Sequence, residues 1–166
     1  MNDTYVEVMV ARKKNPLLYA LKIFLYALAV ACFLMAMIGY GLFFIVTAVS
    51  FLVAYFVLPY FDLEYEYLYI DREISIDKIM SKEKRKHVYT VDLNRMAIMA
   101  PAGSHELDQY RSRGLKTYDF SSRIDGADVY TIVYEADREG TVLVNIEPNE
   151  EMLRAVSTVF PRKLVR

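Results

Sequence analysis

The chain has few of the groups that most enzymes use for chemistry. Among 166 residues it holds one cysteine, two histidines and no tryptophan. With Cys32 alone, neither a disulfide framework nor a cysteine-based zinc site can form within one chain. His87 and His105 have no second nitrogen or sulfur ligand at metal spacing, so no metal and no cofactor is expected. The six glycines are scattered, and none follows a strand in the pattern of a phosphate-cradling loop. A net charge of −1 supplies no basic field, which argues against nucleic acid as a partner.

The longest absence is of charge. From Leu17 to Leu58 the only ionisable group of that kind is Lys22, and Asp, Glu, Asn and Gln are missing altogether. Nothing there can relay an ion, so transporter and channel readings fail. A bilayer core asks for roughly 20 apolar residues per helical span, and this run of 42 is long enough for two. Gly39-Tyr40-Gly41 sits at its middle as a turn. The sequence therefore predicts a two-helix transmembrane hairpin over residues 17–59, with spans Leu17 to Met37 and Leu42 to Leu58, the second stopped by Pro59. Arg12-Lys13-Lys14 precede it, Lys22 can snorkel back, and the turn carries no Lys or Arg. By the positive-inside rule, the expectation is a multi-pass cell-membrane protein with its N-terminus and C-terminal domain cytoplasmic. Tyr19, Tyr40, Tyr55, Tyr60 and Phe61 fall where an aromatic belt would lie. A signal peptide has a far shorter apolar region. Ala29-Val30-Ala31-Cys32 is a poor lipoprotein box, because more apolar chain follows it. Cys32 is simpler as a small buried residue.

Residues 60–166 switch to a period of two. Tyr65, Tyr67 and Tyr69 alternate with Glu64, Glu66 and Leu68, which predicts a half-buried strand with the tyrosines in the core. Further strands are expected through Ile74 to Met80, around Val88 to Leu93, Met96 to Ala100, Thr117 to Ser121, Val129 to Glu135 and Thr141 to Ile146. Asn149 then caps a helix whose apolar stripe is Leu153, Val156 and Phe160, widened by Met152 and Val159 and stopped by Pro161. About seven strands and one C-terminal helix is the element order of a pleckstrin-homology (PH) fold, α+β in class, in which a curved antiparallel sheet is plugged by the helix. Residues 1–16 form a juxtamembrane segment, in which Thr4 to Val10 is either an interfacial helix or an added edge strand.

The chain resembles a family of uncharacterised membrane proteins of Gram-positive bacteria, mainly clostridia, with two N-terminal membrane helices and a PH-like cytoplasmic domain. The match is carried by Arg12-Lys13-Lys14, Ile76-Asp77-Lys78-Ile79 followed by Lys84-Arg85-Lys86, and Ala100-Pro101. It continues through Asp119-Phe120-Ser121-Ser122, Glu147-Pro148-Asn149-Glu150-Glu151 and Pro161-Arg162-Lys163-Leu164-Val165. The resemblance implies architecture and no activity. It leads one to expect a glycine after the paired serines, where this chain has Arg123.

Catalytic readings are thin. Ser104-His105-Glu106-Leu107-Asp108 gathers a hydroxyl, an imidazole and two carboxylates, but adjacent residues cannot aim at one another, and Ser104 reads as a helix cap. Asp119-Phe120-Ser121-Ser122 reads as a turn held by local side-chain bonds. The stronger signal is basic. Lys78, Lys82, Lys84, Arg85, Lys86 and His87 bracket a turn, with Arg12, Lys13, Lys14, Arg162 and Lys163 as further candidates for contact with a membrane surface or partner. Each Lys or Arg near an anionic leaflet is worth about 1 kcal/mol, whereas lysines on a strand edge also serve simply to block edge-to-edge pairing. The Asp71 to Glu73 turn is too short to wrap a specific headgroup.

The expectation is a non-catalytic, membrane-anchored binding or scaffolding module. Its partners would be the lipid bilayer, anionic lipid headgroups, or an unidentified membrane or cytoplasmic protein. One alternative is an enzyme or enzyme subunit at the membrane surface. Another is a structural subunit whose hairpin packs on a larger membrane protein through Ala27, Ala31, Ala36, Ala48 and Ala54.

Overall fold

Alternation at both ends of the apolar run, not only after it, builds the first sheet. In the computed structural model, which describes residues 5–14, 16–57, 63–80 and 84–166, Val6–Ala11 forms strand β1 with Val6, Val8 and Val10 turned into the core. It pairs antiparallel with β2 (Leu63–Ile70), from Val6↔Tyr69 to Ala11↔Glu64. The open question of the N-terminal segment is thereby answered: it is an edge strand. Strands β3 (Glu73–Met80) and β4 (Lys84–Asp92) complete the sheet in the order β1-β2-β3-β4. Tyr65, Tyr67 and Tyr69 are buried in the core, as the alternation predicts.

The second sheet contains β5 (Met96–Pro101), β6 (Thr117–Asp119), β7 (Tyr130–Ala136) and β8 (Gly140–Ile146), in the order β5-β7-β8-β6. Strand β6 runs parallel to β8, with Thr117 opposite Leu143. The described chain therefore has eight strands in two sheets, not seven in one. The strand that sequence reading left undecided lies ahead of the apolar run, where only pairing with β2 makes it a strand.

Met152, Leu153 and Val156 of the C-terminal helix, Glu150–Val159, fill the space between the sheets together with Val6, Val8, Ile76, Val91 and Val144. The helix begins where Met152 donates its backbone N–H to the Asn149 side chain at 2.8 Å, as expected of its cap. A ring seam joins the sheets, with Tyr89 of β4 only 4.6 Å from Tyr118 of β6. The Tyr67 hydroxyl donates to the Phe120 carbonyl at 2.6 Å, and burial holds that phenol well above its ordinary pKa. On the far face of the second sheet, Leu107 fills a smaller core with Ala100, Val133 and Leu143.

The β2–β3 turn places Asp71 and Arg72 at φ of 49° and 70°. Two left-handed residues in a two-residue loop match the right-handed strand twist, and glycine suits the second position best. Arg72→Gly is expected to stabilise the protein by about 0.5–1 kcal/mol, read as a raised urea midpoint at unchanged slope. An unchanged or lowered midpoint would show that the Arg72 side chain matters more than its strain.

The chain divides into two compact units, one of Met1–Arg12, Glu64–Ile79 and Arg85–Arg166, the other of Lys13–Leu63 and Met80–Lys84. In the second unit, helix α1 (Pro16–Met37) and helix α2 (Phe43–Leu52) pack through Ala29, Cys32, Ala36 and Ser50. Tyr26 meets Phe51 and Phe33 meets Phe44, so the two helices run antiparallel. Of the small residues expected to permit close approach, Ala36 and Ala54 are buried, whereas Ala27 and Ala31 line an outward groove.

The two-span expectation is corrected here. Only Pro16–Met37 is long and apolar enough to cross a membrane among the described residues. The segment expected as a second span, Leu42 to Leu58, is α-helical only over ten residues, Phe43–Leu52, and continues as a π-helical turn, Val53–Val57. Ten residues rise about 15 Å, half of the roughly 30 Å hydrocarbon slab. Pro59 and the aromatic residues beyond it lie outside the described residues. A multi-pass topology, with both termini assigned by the positive-inside rule, does not stand. What the register does show is that the whole apolar run is an insertion between two hydrogen-bonded neighbours, Ala11 and Glu64.

Candidate functional site

The basic residues singled out by sequence fall in three places. Lys13, Lys14 and Lys84 are exposed and belong to the same compact unit as the apolar helices. Lys82 lies outside the described residues. Arg12, Arg85 and Lys86 belong to the β-rich unit, where Arg12 donates to the Tyr65 hydroxyl at 3.1 Å. The C-terminal pair is elsewhere again. Lys163 reaches the Asn94 carbonyl at 3.3 Å, and Met99 of β5 donates its N–H to the Lys163 carbonyl and accepts from the Val165 N–H, pinning the tail along β5. Arg162 and Lys163 therefore lie in the β-rich unit, with the tail along β5.

Arg85 is also not a plain surface charge. Its Nη2 lies 2.6 Å from Oε1 of Glu66, a carboxylate whose side chain is only 2% exposed. Glu66 sits on the outward face of β2 opposite Met9, with Glu7 of β1 as its diagonal neighbour. Burial raises the Glu66 pKa, the Arg85 charge opposes this, and Glu7 and Asp77 push it up further. Sequence reading placed Glu66 among ordinary outward residues. No local signal marks it, because its burial depends on which strands flank β2.

Beside it, His87 Nδ1 meets Asp77 Oδ1 at 2.9 Å, and the Thr90 hydroxyl meets Nε2 at 3.0 Å. The order acid–imidazole–hydroxyl looks like a hydrolytic relay. However, the imidazole and the threonine are exposed on the strand, and the chain of bonds ties β3 to β4. His105 is fully solvated beside Asp108, and Ser104 accepts the Glu106 N–H as a cap. Neither is poised for chemistry.

The Asp119–Ser122 turn is built as read, from local bonds. Asp119 Oδ1 accepts from the Ser121 N–H and hydroxyl at 3.2 and 2.6 Å, and Arg123 Nε donates to Oδ2 at 2.7 Å. Burial alone would raise the Asp119 pKa, but these donors outweigh it and hold it below the ordinary value. Arg123 has φ 60°, a left-handed conformation. That is the backbone reason for expecting a glycine there, and the ion pair to Asp119 explains how arginine is held instead.

A cleft of about 640 Å³ opens between the Pro101–Gly103 turn, the Ala127–Tyr130 segment and the start of the C-terminal helix. Its charged lining is Asp128 and Glu150, and it contains neither imidazole nor thiol. Among the described residues no group of three or more His, Cys, Asp or Glu could hold a metal ion.

Two four-stranded sheets with a C-terminal helix packed against them, and no catalytic constellation assembled among the described residues, define a PH-like fold, a generally non-catalytic kind. The chain belongs to the family described as Bacterial PH-like domain (DUF6106), whose sequence profile matches residues 2–166. No curated protein and no solved structure matches it.

Proposed function

We propose that this protein is a membrane-anchored, non-catalytic binding module whose lysines at the base of its apolar helices engage anionic lipid headgroups. The observation that carries the reading is helix α1. Its mean hydropathy is 2.2, yet only 11% of the apolar window is buried. A core helix of a soluble protein would be mostly enclosed, and a contiguous apolar face of this size in water is a strong liability. A removable signal segment fits poorly, because β1 lies upstream of α1 and is part of the first sheet. Lipid is the solvent that suits such a face, and Lys13, Lys14 and Lys84 share the compact unit with it. The likeness to Gram-positive membrane proteins supports the same reading.

The test is lysine footprinting of the full chain in nanodiscs of zwitterionic or anionic lipid. At about 1 kcal/mol per cation, acetylation of Lys13, Lys14 and Lys84 should slow by about fivefold in anionic discs and recover in high salt. Lys116, paired with Glu139 at 2.8 Å, serves as the internal control. Equal reactivity in both lipids would discard the headgroup reading and turn the search to a protein partner.

A further inference from the structure

The cleft of about 640 Å³ at the start of the C-terminal helix lies wholly within the β-rich unit. That volume is in the roughly 300–1,000 Å³ range of small-ligand sites. Two of its walls, the Pro101–Gly103 turn and the Ala127–Tyr130 segment, are locked together where Ala102 donates its N–H to the Val129 carbonyl at 2.7 Å. Leu153, only 5% exposed, and Pro148 add apolar surface from the helix side.

The polar groups left over in the cleft decide the sign of its ligand. Most of the backbone on its walls is spent on the protein itself. The Pro101 carbonyl accepts from Ser104, the Ala102 carbonyl from the Arg111 guanidinium, and the Ala127 carbonyl from the Val129 N–H. Asp128 and Glu150 are different. Both line the cleft, and neither carboxylate has an ion-pair or hydrogen-bond partner among the described residues. By contrast, Asp119, Asp137 and Glu139 are each matched by a cation of the chain. An anion would find one attraction here, the first turn of the helix, but Glu150 and Glu151 already place negative charge on it. A metal ion is poorly served, because no third acid, imidazole or thiol joins the two carboxylates among the described residues.

We propose that this cleft binds an organic cation, a guanidinium or primary ammonium on an apolar stem. The stem packs on Leu153 and the prolines, and the head is held by the Asp128 and Glu150 carboxylates. Charge-assisted bonds are the strong class of hydrogen bond, and a guanidinium presents donors in a fork that matches a carboxylate. The same chemistry is carried by a free polyamine or guanidine compound and by the arginine side chain of a partner's peptide segment. The inference does not rest on the lipid reading, which concerns helix α1 and the lysines of the other compact unit.

The experiment is an amide NMR titration of the isotope-labelled full chain in uncharged detergent at physiological salt. Agmatine carries a guanidinium and an ammonium on one short stem. Guanidinobutyrate keeps the stem and guanidinium but ends in a carboxylate. A blocked Gly-Arg-Gly tripeptide presents the guanidinium from a peptide. Agmatine or the tripeptide should give saturable shifts at the amides of Gly103, Asp128 and Glu150, with guanidinobutyrate about tenfold weaker than agmatine. Asp128→Asn and Glu150→Gln should each weaken binding by about tenfold. Glu151→Gln, next on the helix but outside the lining, should change it far less. All three acids are exposed, so the variants should keep the fold, which amide positions away from the cleft report. Tighter binding of agmatine identifies a free cation as the ligand, and tighter binding of the tripeptide identifies a partner's arginine. No saturable shift with any probe, equal binding of guanidinobutyrate and agmatine, or an equal loss from Glu151→Gln overturns the site.

Discussion

Val8→Asp is expected to unfold the β-rich unit while leaving the apolar helices helical. Val8 is 9% exposed on the core face of β1, with Tyr67 across the ladder. Losing its burial costs about 1.5–3 kcal/mol. Enclosing an unpaired carboxylate costs about 3–5 kcal/mol more, before any shift of its pKa. The sum reaches the roughly 5–15 kcal/mol that holds a whole domain together. The reading is the tyrosine near-ultraviolet circular dichroism of the full chain in detergent, which should vanish while the far-ultraviolet helical signal persists. Met9→Thr, one residue on and facing outward at 57% exposure, should change stability by less than about 0.5 kcal/mol. Equal melting of both variants and wild type would show that β1 is not part of the folded domain.

Val30→Asp should have the second-largest effect, on partition and not on folding. Val30 is 61% exposed on α1, away from the Ala29, Cys32 and Ala36 face that packs on α2. Aspartate near the middle of an inserted helix costs about 2.5–3.5 kcal/mol, roughly a hundredfold in partition. Alkaline extraction of membranes should therefore release the variant and retain both wild type and Val30→Leu. Release of all three would mean that a protein surface, not lipid, covers the helix.

These two predictions have a practical consequence. A fragment beginning after the apolar run lacks β1, which uncovers Tyr65, Tyr67 and Tyr69 along one edge and leaves the β2 backbone unpaired. Binding experiments therefore belong on the full chain.

Several features were legible because their physics is local. Strict alternation in Tyr65, Tyr67 and Tyr69 needs only the pleat of a strand to bury one face. Asn149, the acids after it and the Leu153–Val156 stripe set a helix start and a buried face within ten residues. The long uncharged run predicts an apolar helical pair from composition alone. Its division into spans was not legible, because hydropathy counts residues and does not register where helical hydrogen bonding changes at Val53.

What the sequence by itself determined is the class of each segment: an apolar helical run, a series of alternating strands and a capped amphipathic helix. Only the tertiary structure decided that β1 belongs to the first sheet, that Arg85 is paired with a buried Glu66, and that the basic tail lies along β5. The reason is range. Alternation and capping act over a few residues, whereas strand pairing joins Val8 to Tyr67, and an ion pair joins Glu66 to Arg85, across an intervening chain whose length does not specify its register.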